Sequence, residues 1–403
     1  MLSPAWEVIS FILIWPDQHM RKFSIYILSL FFVWGCSGTS AQPRLHKYTE
    51  IEMLMGTTIR IDVCVENEEA AQFIDLFTTN IKFFQKEKVE ILTTSIDVNT
   101  EKVSKEALKK VWQRLEDISW RMNVFDEKSD VAKINISYPN ALEVGADTYE
   151  VVKKAIEYNR LTQGAFDITV WPLIALWKKG EKENIFPSHD EILRTKKMLG
   201  PSQIELLSNN QIRLLNEAVK IDLGGIAAGY GVDEAVRIFH EHGLKDFLID
   251  AGGDLFAGGH NCQGQPWRIG IRDPRDAAKL LEVIYLTDSA VTTSGDYEKF
   301  YEINGQRWSH IFNPITGYPQ KGVKSATVIA PTTLEADVLA TALCVLGGWR
   351  DQALIDALGP GYAALIIESS DGRQLKTFES RHYRNYGSTR FARLPLNHSI
   401  GPP

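Results

Sequence analysis

A helix from Leu334 to Leu346 limits the architectures open to this chain more than any other segment, because beyond its first turn it is apolar around its whole circumference. Thr332 with Glu335 three residues on forms a capping box, and Gly347 supplies the stop. A helix with no wet face is marked as buried rather than as a surface helix. The 403 residues here can bury it, as one large domain or two fused halves. Only Asp337 and Thr341 interrupt the apolar surface, and their four-residue spacing puts them on one face, a turn apart. A carboxylate in such surroundings needs a compensating charge or several donors, and a hard divalent cation held by oxygen ligands is one answer. The plainer alternative has Asp337 favoured by the helix dipole and Thr341 bonded back to a carbonyl of the preceding turn.

A formal net charge of −7 and a pI of about 5.8, with no basic block, argue against nucleic acid as a partner. The cysteines at 36, 64, 262 and 344 show neither paired metal spacing nor a dense disulfide pattern. Cys64 in a strand-like run and Cys344 in the apolar helix read as small buried hydrophobes, and Cys262 in a Gly-rich loop is left open. From Met20 the chain has the layout of an exported protein: Arg21 and Lys22, an apolar run from Phe23 to Trp34, then Gly35-Cys36 and a polar stretch. A bacterial lipoprotein signal takes this order, with Cys36 as the residue to be lipidated, although Val33 and Trp34 depart from the usual residues before it. Residues 1–36 are therefore expected to be a signal region with its working start at Met20, and 37–50 a linker. The apolar run is short for a membrane span.

Alternation from Met55 to Val63 predicts a first strand, and residues 67 to about 122 read as mostly helical, with a β-like break at Ile91 to Val98 and with Trp112 and Trp120 as core. Phe125 follows on a turn, where it either walls a slot for a planar ligand or plugs the core. Ser129 caps a short helix. A helix from Asp147 to Thr162 leads through Gly164 into Ala165-Phe166-Asp167. A lysine-bearing loop comes next, then a short helix with Ser188 and Glu191 as its capping box and Gly200 as its stop, then a hairpin around Asn209-Asn210. Val219 to Asp222 predicts a strand entering the turn Gly224-Gly225, which opens a helix running to Gly243. Bare amides at such a helix start suit a phosphate, although paired glycines there can also serve packing alone. The spacing is neither the dinucleotide-binding G-x-G-x-x-G nor a P-loop. Farther on, Asn304-Gly305 turns a hairpin whose second strand delivers His310 just before Asn313-Pro314, as a general base, a phosphate partner or a structural histidine. Tyr362–Ile367 is expected to pair with Leu375–Phe378 through Asp371-Gly372, and the tail from Arg381 to fray.

Taken in order, these stretches resemble the FAD:protein FMN transferase family, the ApbE-type flavinyltransferases once described as thiamine-biosynthesis lipoproteins. The likeness runs from about Met55 to Phe378. It rests on Ile221-Asp222-Leu223-Gly224-Gly225-Ile226-Ala227 with Gly229-Tyr230, on Asp250-Ala251-Gly252-Gly253-Asp254, on His310 with Asn313-Pro314 and Thr316-Gly317, and on Glu335-Ala336-Asp337 with Thr341. The resemblance implies an α+β fold of two related α/β halves with mixed and antiparallel sheets. It implies Mg²⁺ ligated by Asp337, Thr341 and a backbone carbonyl near Gly225, and FAD held by Met55, Phe125, Ala165, Phe166, Asp167 and Asp222. Such enzymes move the FMN half of FAD onto a Thr or Ser hydroxyl of an acceptor flavoprotein and release AMP; the signal layout leads us to expect export to the periplasmic face of the cell membrane before lipidation, with Cys36 as the candidate lipid anchor. Phe125 stands where the family commonly has Tyr, and Ala228 where a longer polar residue is usual. The segment from about Glu66 to Glu101 is longer than the family pattern. His310 is the candidate acceptor of the hydroxyl proton. An FAD pyrophosphatase, a flavin-storing lipoprotein and an exported structural protein are the competing readings.

Overall fold

A computed structural model describes residues 45–66, 98–296, 300–369, 374–387 and 389–390. The signal region with Cys36, most of the segment from Glu66 to Glu101 and the turn at Asp371-Gly372 lie outside the described residues. Strands β1 (Leu45–Leu54) and β2 (Thr57–Glu66) pair over their full length. The first strand therefore begins inside the stretch expected to be a linker, where Tyr48 is buried. Met55, expected in a strand, sits with Gly56 in the turn, and φ values of 56° and 74° are what a two-residue hairpin requires.

Helix α1 (Val98–Arg121) buries Trp112, but Trp120 is exposed with the Arg121 guanidinium 5.6 Å from its ring centre. After α2 (Asp130–Ile134), which Ser129 caps as expected, come β3 (Leu142–Glu143) and α3 (Ala146–Leu161). The lysine-bearing stretch is not a loop but α4 (Trp171–Glu183). Pro172 lies in its first turn, where a missing N–H is tolerated, and Leu173, Trp177 and Gly180 bury one stripe. Helix α5 (His189–Lys196) has both halves of the Ser188–Glu191 box, but it stops at Lys197; Gly200, with φ of 103°, instead opens a short 3₁₀ turn. Strands β4 (Ile204–Leu207) and β5 (Gln211–Leu214) form the expected hairpin, with positive φ at Asn209 and Asn210. Val219–Asp222 joins no sheet. The Asn135 side chain takes the place of a strand partner, donating to the Ile221 carbonyl at 2.9 Å and accepting from its N–H at 2.7 Å.

The remaining elements are α6 (Ala227–Glu241), β6 (Phe247–Ala251), β7 (Asp254–Gly258), β8 (Trp267–Asp273), β9 (Asp276–Leu286), β10 (Ser289–Gly295), β11 (Phe300–Ile303), β12 (Gln306–Ser309), β13 (Phe312–Asn313), β14 (Tyr318–Pro319), β15 (Val323–Ala330), α7 (Thr333–Leu346), α8 (Trp349–Leu358), β16 (Ala363–Glu368), β17 (Lys376–Glu379) and β18 (Thr389–Arg390). One eight-stranded sheet in the order β1-β2-β6-β7-β10-β15-β16-β17, antiparallel throughout, organises them. Its sixth strand, β15, is buried on both faces: Ala326 and Val328 pack against Leu339 and Leu343 of α7, and Ile329 packs into the cluster of Trp267, Ile269 and Ile284 from the small β8–β9–β18 sheet. Helix α7 is thus covered on every side, as its composition demands.

Two expectations fall here. Cys64 of β2 is not a free hydrophobe; it is bonded to Cys262 in the loop after β7, with Cα atoms 5.1 Å apart. The sheet makes this contact, since β2 pairs with β6 and the Cys64 N–H donates to the Asp246 carbonyl at 2.8 Å. Nor does the chain fray from Arg381: Tyr383 is fully buried under β9 with its hydroxyl on the Glu282 carboxylate, and β18 extends the β8–β9 sheet.

Candidate active site between two helices

The site is built where α6 crosses the start of α7. Thr332 caps α7, accepting from the Glu335 N–H at 3.3 Å, but the expected capping box is only half formed. Glu335 turns its carboxylate away, to the hydroxyls of Tyr158 and Tyr362, each at 2.9 Å. The N–H groups of Thr333 and Leu334 are taken instead by Asp233 of α6, at 2.6 and 3.0 Å. Burial pushes the Asp233 carboxyl up to about 6 even though these two donors oppose it. The helices meet closely because Gly229 has no side chain: a Cβ there would lie 2.8 Å from both Leu334 Cα and Thr333 O.

Asp337 is buried one turn into α7. Its carboxyl is held well above the ordinary carboxylate range, first by burial and then by the charge of Asp254 on β7, against the opposing N–H of Gly229. Oδ2 has no hydrogen-bond partner among the described residues. The donor that Asp337 does have belongs to α6 and not to its own helix, so the reading of Asp337 as a companion of the α7 dipole does not account for it. Thr341 lies on the same face with Oγ1 3.5 Å from Ser294 Oγ. A Cβ on Gly225 would meet Phe166 Cε2 at 3.5 Å and Thr341 Oγ1 at 4.0 Å, so the turn before α6, the Phe166 loop and α7 converge.

Ala165 and Phe166 are buried with Ile226, Ala227, Leu334 and Val338 in one cluster. Asp167 Oδ1 accepts from the Thr169 N–H at 2.8 Å and hydroxyl at 2.6 Å, and burial raises this acid too. The Asp222 N–H donates to the Ile168 carbonyl at 2.8 Å, which ties the 165–169 loop to the glycine turn. Ala228 is half-buried in the first turn of α6, and Met55 Sδ lies 3.4 Å from where a Gly231 Cβ would stand. Phe125 is 77% exposed, its ring edge-on to Trp171 at 5.8 Å. His310 is half-buried at the bend between β12 and β13. The idea of a row of bare amides at the start of α6 needs correction. The Gly224 N–H donates to Asp222 Oδ1 at 2.9 Å, the Ile226 and Ala227 N–H groups donate to the Leu223 carbonyl, and the Gly229 N–H faces Asp337.

Among the described residues no three His, Cys, Asp or Glu side chains gather as a metal centre. A cation at this place would be held by one carboxylate and by neutral oxygens, a donor set that suits Mg²⁺ and not zinc. The orphaned Asp337 Oδ2 and the Thr341 hydroxyl, four residues on along the same helix face, fit that requirement.

The model of the ApbE family matches residues 55–366. The chain belongs to the ApbE family. An FAD:protein FMN transferase of Vibrio cholerae is 30% identical over 377 residues, covering 91% of this chain and 99% of that one. One of Haemophilus influenzae is 33% identical over 270 residues, 64% of this chain and 77% of its own. Among solved structures, the ApbE protein of Thermotoga maritima superposes with a TM-score of 0.68 at 30% identity, over 85% of this chain and 99% of that one. The flavin transferase ApbE of Vibrio cholerae gives 0.68 at 28%, with the same coverage. In this ApbE-family chain, sequence reasoning missed Asp233 and Asn135 and gave Ser294 no role. Asp233 follows Gly229 at helical spacing, the one local hint that both face the same neighbour.

Proposed function

We propose that this chain is a flavin transferase that moves the FMN half of FAD onto a Thr or Ser hydroxyl of a partner protein. The acceptor oxygen forms a bond to the FMN phosphorus, the bond from that phosphorus to the bridging oxygen breaks, and AMP leaves with that oxygen. The reading is carried by the buried Asp337 carboxylate, whose Oδ2 has no partner among the described residues, on the helix face that one turn later presents Thr341 to the Gly225 turn. Asp337, Thr341 and a carbonyl near Gly225 would hold Mg²⁺, which when bound offsets negative charge on the diphosphate. Asp254 keeps the surroundings of Asp337 acidic, which favours a cation over a second anion. Phe166 closes the site from the core side, Phe125 offers an exposed ring face for a planar flavin, and Met55, Ala165, Asp167, Asp222 and Ala228 line the FAD side. The proton of the acceptor hydroxyl goes to His310.

The protein works outside the reducing cytoplasm, on the periplasmic face of the cell membrane, tethered by a lipid at Cys36. The Cys64–Cys262 disulfide supports this location, as does the basic-then-apolar start from Met20. Among the described residues no helix is long and apolar enough to cross a membrane.

The deciding experiment incubates the protein with FAD, Mg²⁺ and an acceptor protein, then looks by mass spectrometry for the acceptor carrying FMN and by chromatography for AMP. Adduct and AMP in equal amounts are expected. Free FMN with AMP and no adduct would make the protein a hydrolase, and intact FAD would make it a carrier.

A further inference from the structure

We propose that Asp233 is a positioning residue for the Asp337–Thr341 pair: by gripping the first turn of α7 from α6, it fixes the register of one helix against the other. The inference rests on the reading of that pair as a cation site. Helix α7 already has its own cap in Thr332 and apolar cover on every side, so it needs no second cap to form. Asp233 supplies one from another helix, with both carboxylate oxygens engaged, at 2.6 Å on the Thr333 N–H and 3.0 Å on the Leu334 N–H. Two charge-assisted bonds from a planar group set an orientation as well as a distance.

The surrounding charges are otherwise committed. Glu335 is turned to Tyr158 and Tyr362, and Glu234 is paired with Arg114 and Arg237. Gly229, one turn before Asp233 on the same face of α6, lets the backbones close to the distance at which these bonds form, and its N–H meets Asp337. Glycine and aspartate therefore act as a pair: one removes the spacer and the other inserts the pin. A slip of α7 by one residue would move Asp337 and Thr341 about 1.5 Å along the axis and turn them by roughly 100°, away from the Gly229 N–H and the Ser294 hydroxyl. A ligand constellation tolerates displacements of only about 0.5 Å.

Asp233→Asn tests this, because it keeps the shape and one acceptor while turning an NH₂ towards the other amide. FAD affinity is read from flavin fluorescence in Mg²⁺ and in EDTA, together with the Mg²⁺ concentration for half-maximal transfer and the melting temperature. The Mg²⁺-dependent gain in FAD affinity should fall about tenfold and the half-saturating Mg²⁺ concentration rise by a similar factor, with affinity in EDTA unchanged. Thr332→Ala, which removes the helix's own cap, should lower the melting temperature and leave both Mg²⁺ readouts at wild-type values. Should Asp233→Asn fail to fold, Asp233→Glu keeps the charge but moves the carboxylate by one methylene, and the same Mg²⁺-specific loss is expected. The inference is overturned if the Asp233 variant matches wild type in both Mg²⁺ readouts, if it weakens FAD equally with and without Mg²⁺, or if Thr332→Ala reproduces its pattern. A wild-type protein whose FAD affinity ignores Mg²⁺ would break the cation reading itself, and this inference with it.

Discussion

Two buried aspartates flank the body of α7, and they have different company. Asp337 lies one turn into the helix; Asp351 lies just beyond its end, in the first turn of α8, and is fully buried. Both are held far above the usual carboxylate range, Asp351 up to about 9, and in both burial is the larger cause and a second carboxylate the next. Neither Asp351 oxygen has a hydrogen-bond partner by geometry among the described residues, and the Gly347 N–H is the one group that favours its charged form. Around Asp351 stand Glu368 and the paired glycines Gly347 and Gly348, where a Cβ would lie 3.1 and 3.4 Å from Glu368 Oε1. Around Asp337 stand Asp254 and the Gly229 N–H, with the Thr341 hydroxyl one turn on along the same helix face and 3.5 Å from the Ser294 hydroxyl. Burial of an acid marks electrostatic stress in both places. The hydroxyls of Thr341 and Ser294 would complete the ligands of the cation proposed at Asp337, whereas among the described residues Asp351 has Glu368 and the Gly347 N–H for neighbours, and a proton suffices.

The sharpest way to break this contrast is to remove each charge in turn. Asp337→Asn should lower transfer by about 10²-fold or more, with no loss of melting temperature, because it deletes a buried charge along with a ligand. Asp351→Asn should transfer like wild type; the opposite result for the two variants would end the comparison. The pH dependence of stability comes next in size. The folded Asp351 carboxyl titrates near 9 and its unfolded counterpart in the ordinary range, so its contribution is fully present at low pH and is lost as pH rises towards 9. Wild type should therefore lose up to about 3 kcal/mol more than Asp351→Asn between pH 6 and 8, measured by urea unfolding. Thr341→Val should raise the half-saturating Mg²⁺ concentration about tenfold, and no change there would remove Thr341 from the site. Smallest is Phe125→Ala, which touches neither acid and should weaken FAD binding by about 1 kcal/mol in titration calorimetry, with or without Mg²⁺.

The layers of the fold were legible where side-chain periodicity and turn chemistry agree, as in α7, the Asn209-Asn210 hairpin and the Asn304-Gly305 hairpin. Helix α4 was not, because Pro172 and the run of lysines read as a loop; the stripe of Leu173, Trp177 and Gly180 was the signal that outweighed them. The turn at Tyr383–Tyr386 was missed because its two tyrosines among charged residues form no extended period, and Tyr383 is buried only once β9 is in place. At the site, Asp337 and Thr341 stood out by being polar in an apolar helix. Asp233 did not, since a charged residue beside Glu234 on an amphipathic helix looks like ordinary surface and its partners lie about a hundred residues on. The bond between Cys64 and Cys262 spans 198 residues and rests on sheet order, which no local pattern reveals.

That covalent link has a topological consequence. It turns residues 64 to 262 into a ring that carries Phe125, Phe166, Asp167, Asp222, Gly225 and Asp233, and leaves His310, Asp337 and Thr341 on an open arm. In an unfolded but oxidised chain most of the residues proposed to hold FAD therefore stay in a closed loop together with Gly225, while Met55 and the proposed cation ligands Asp337 and Thr341 lie outside it. The proposed active centre forms only once the arm has come home to the ring.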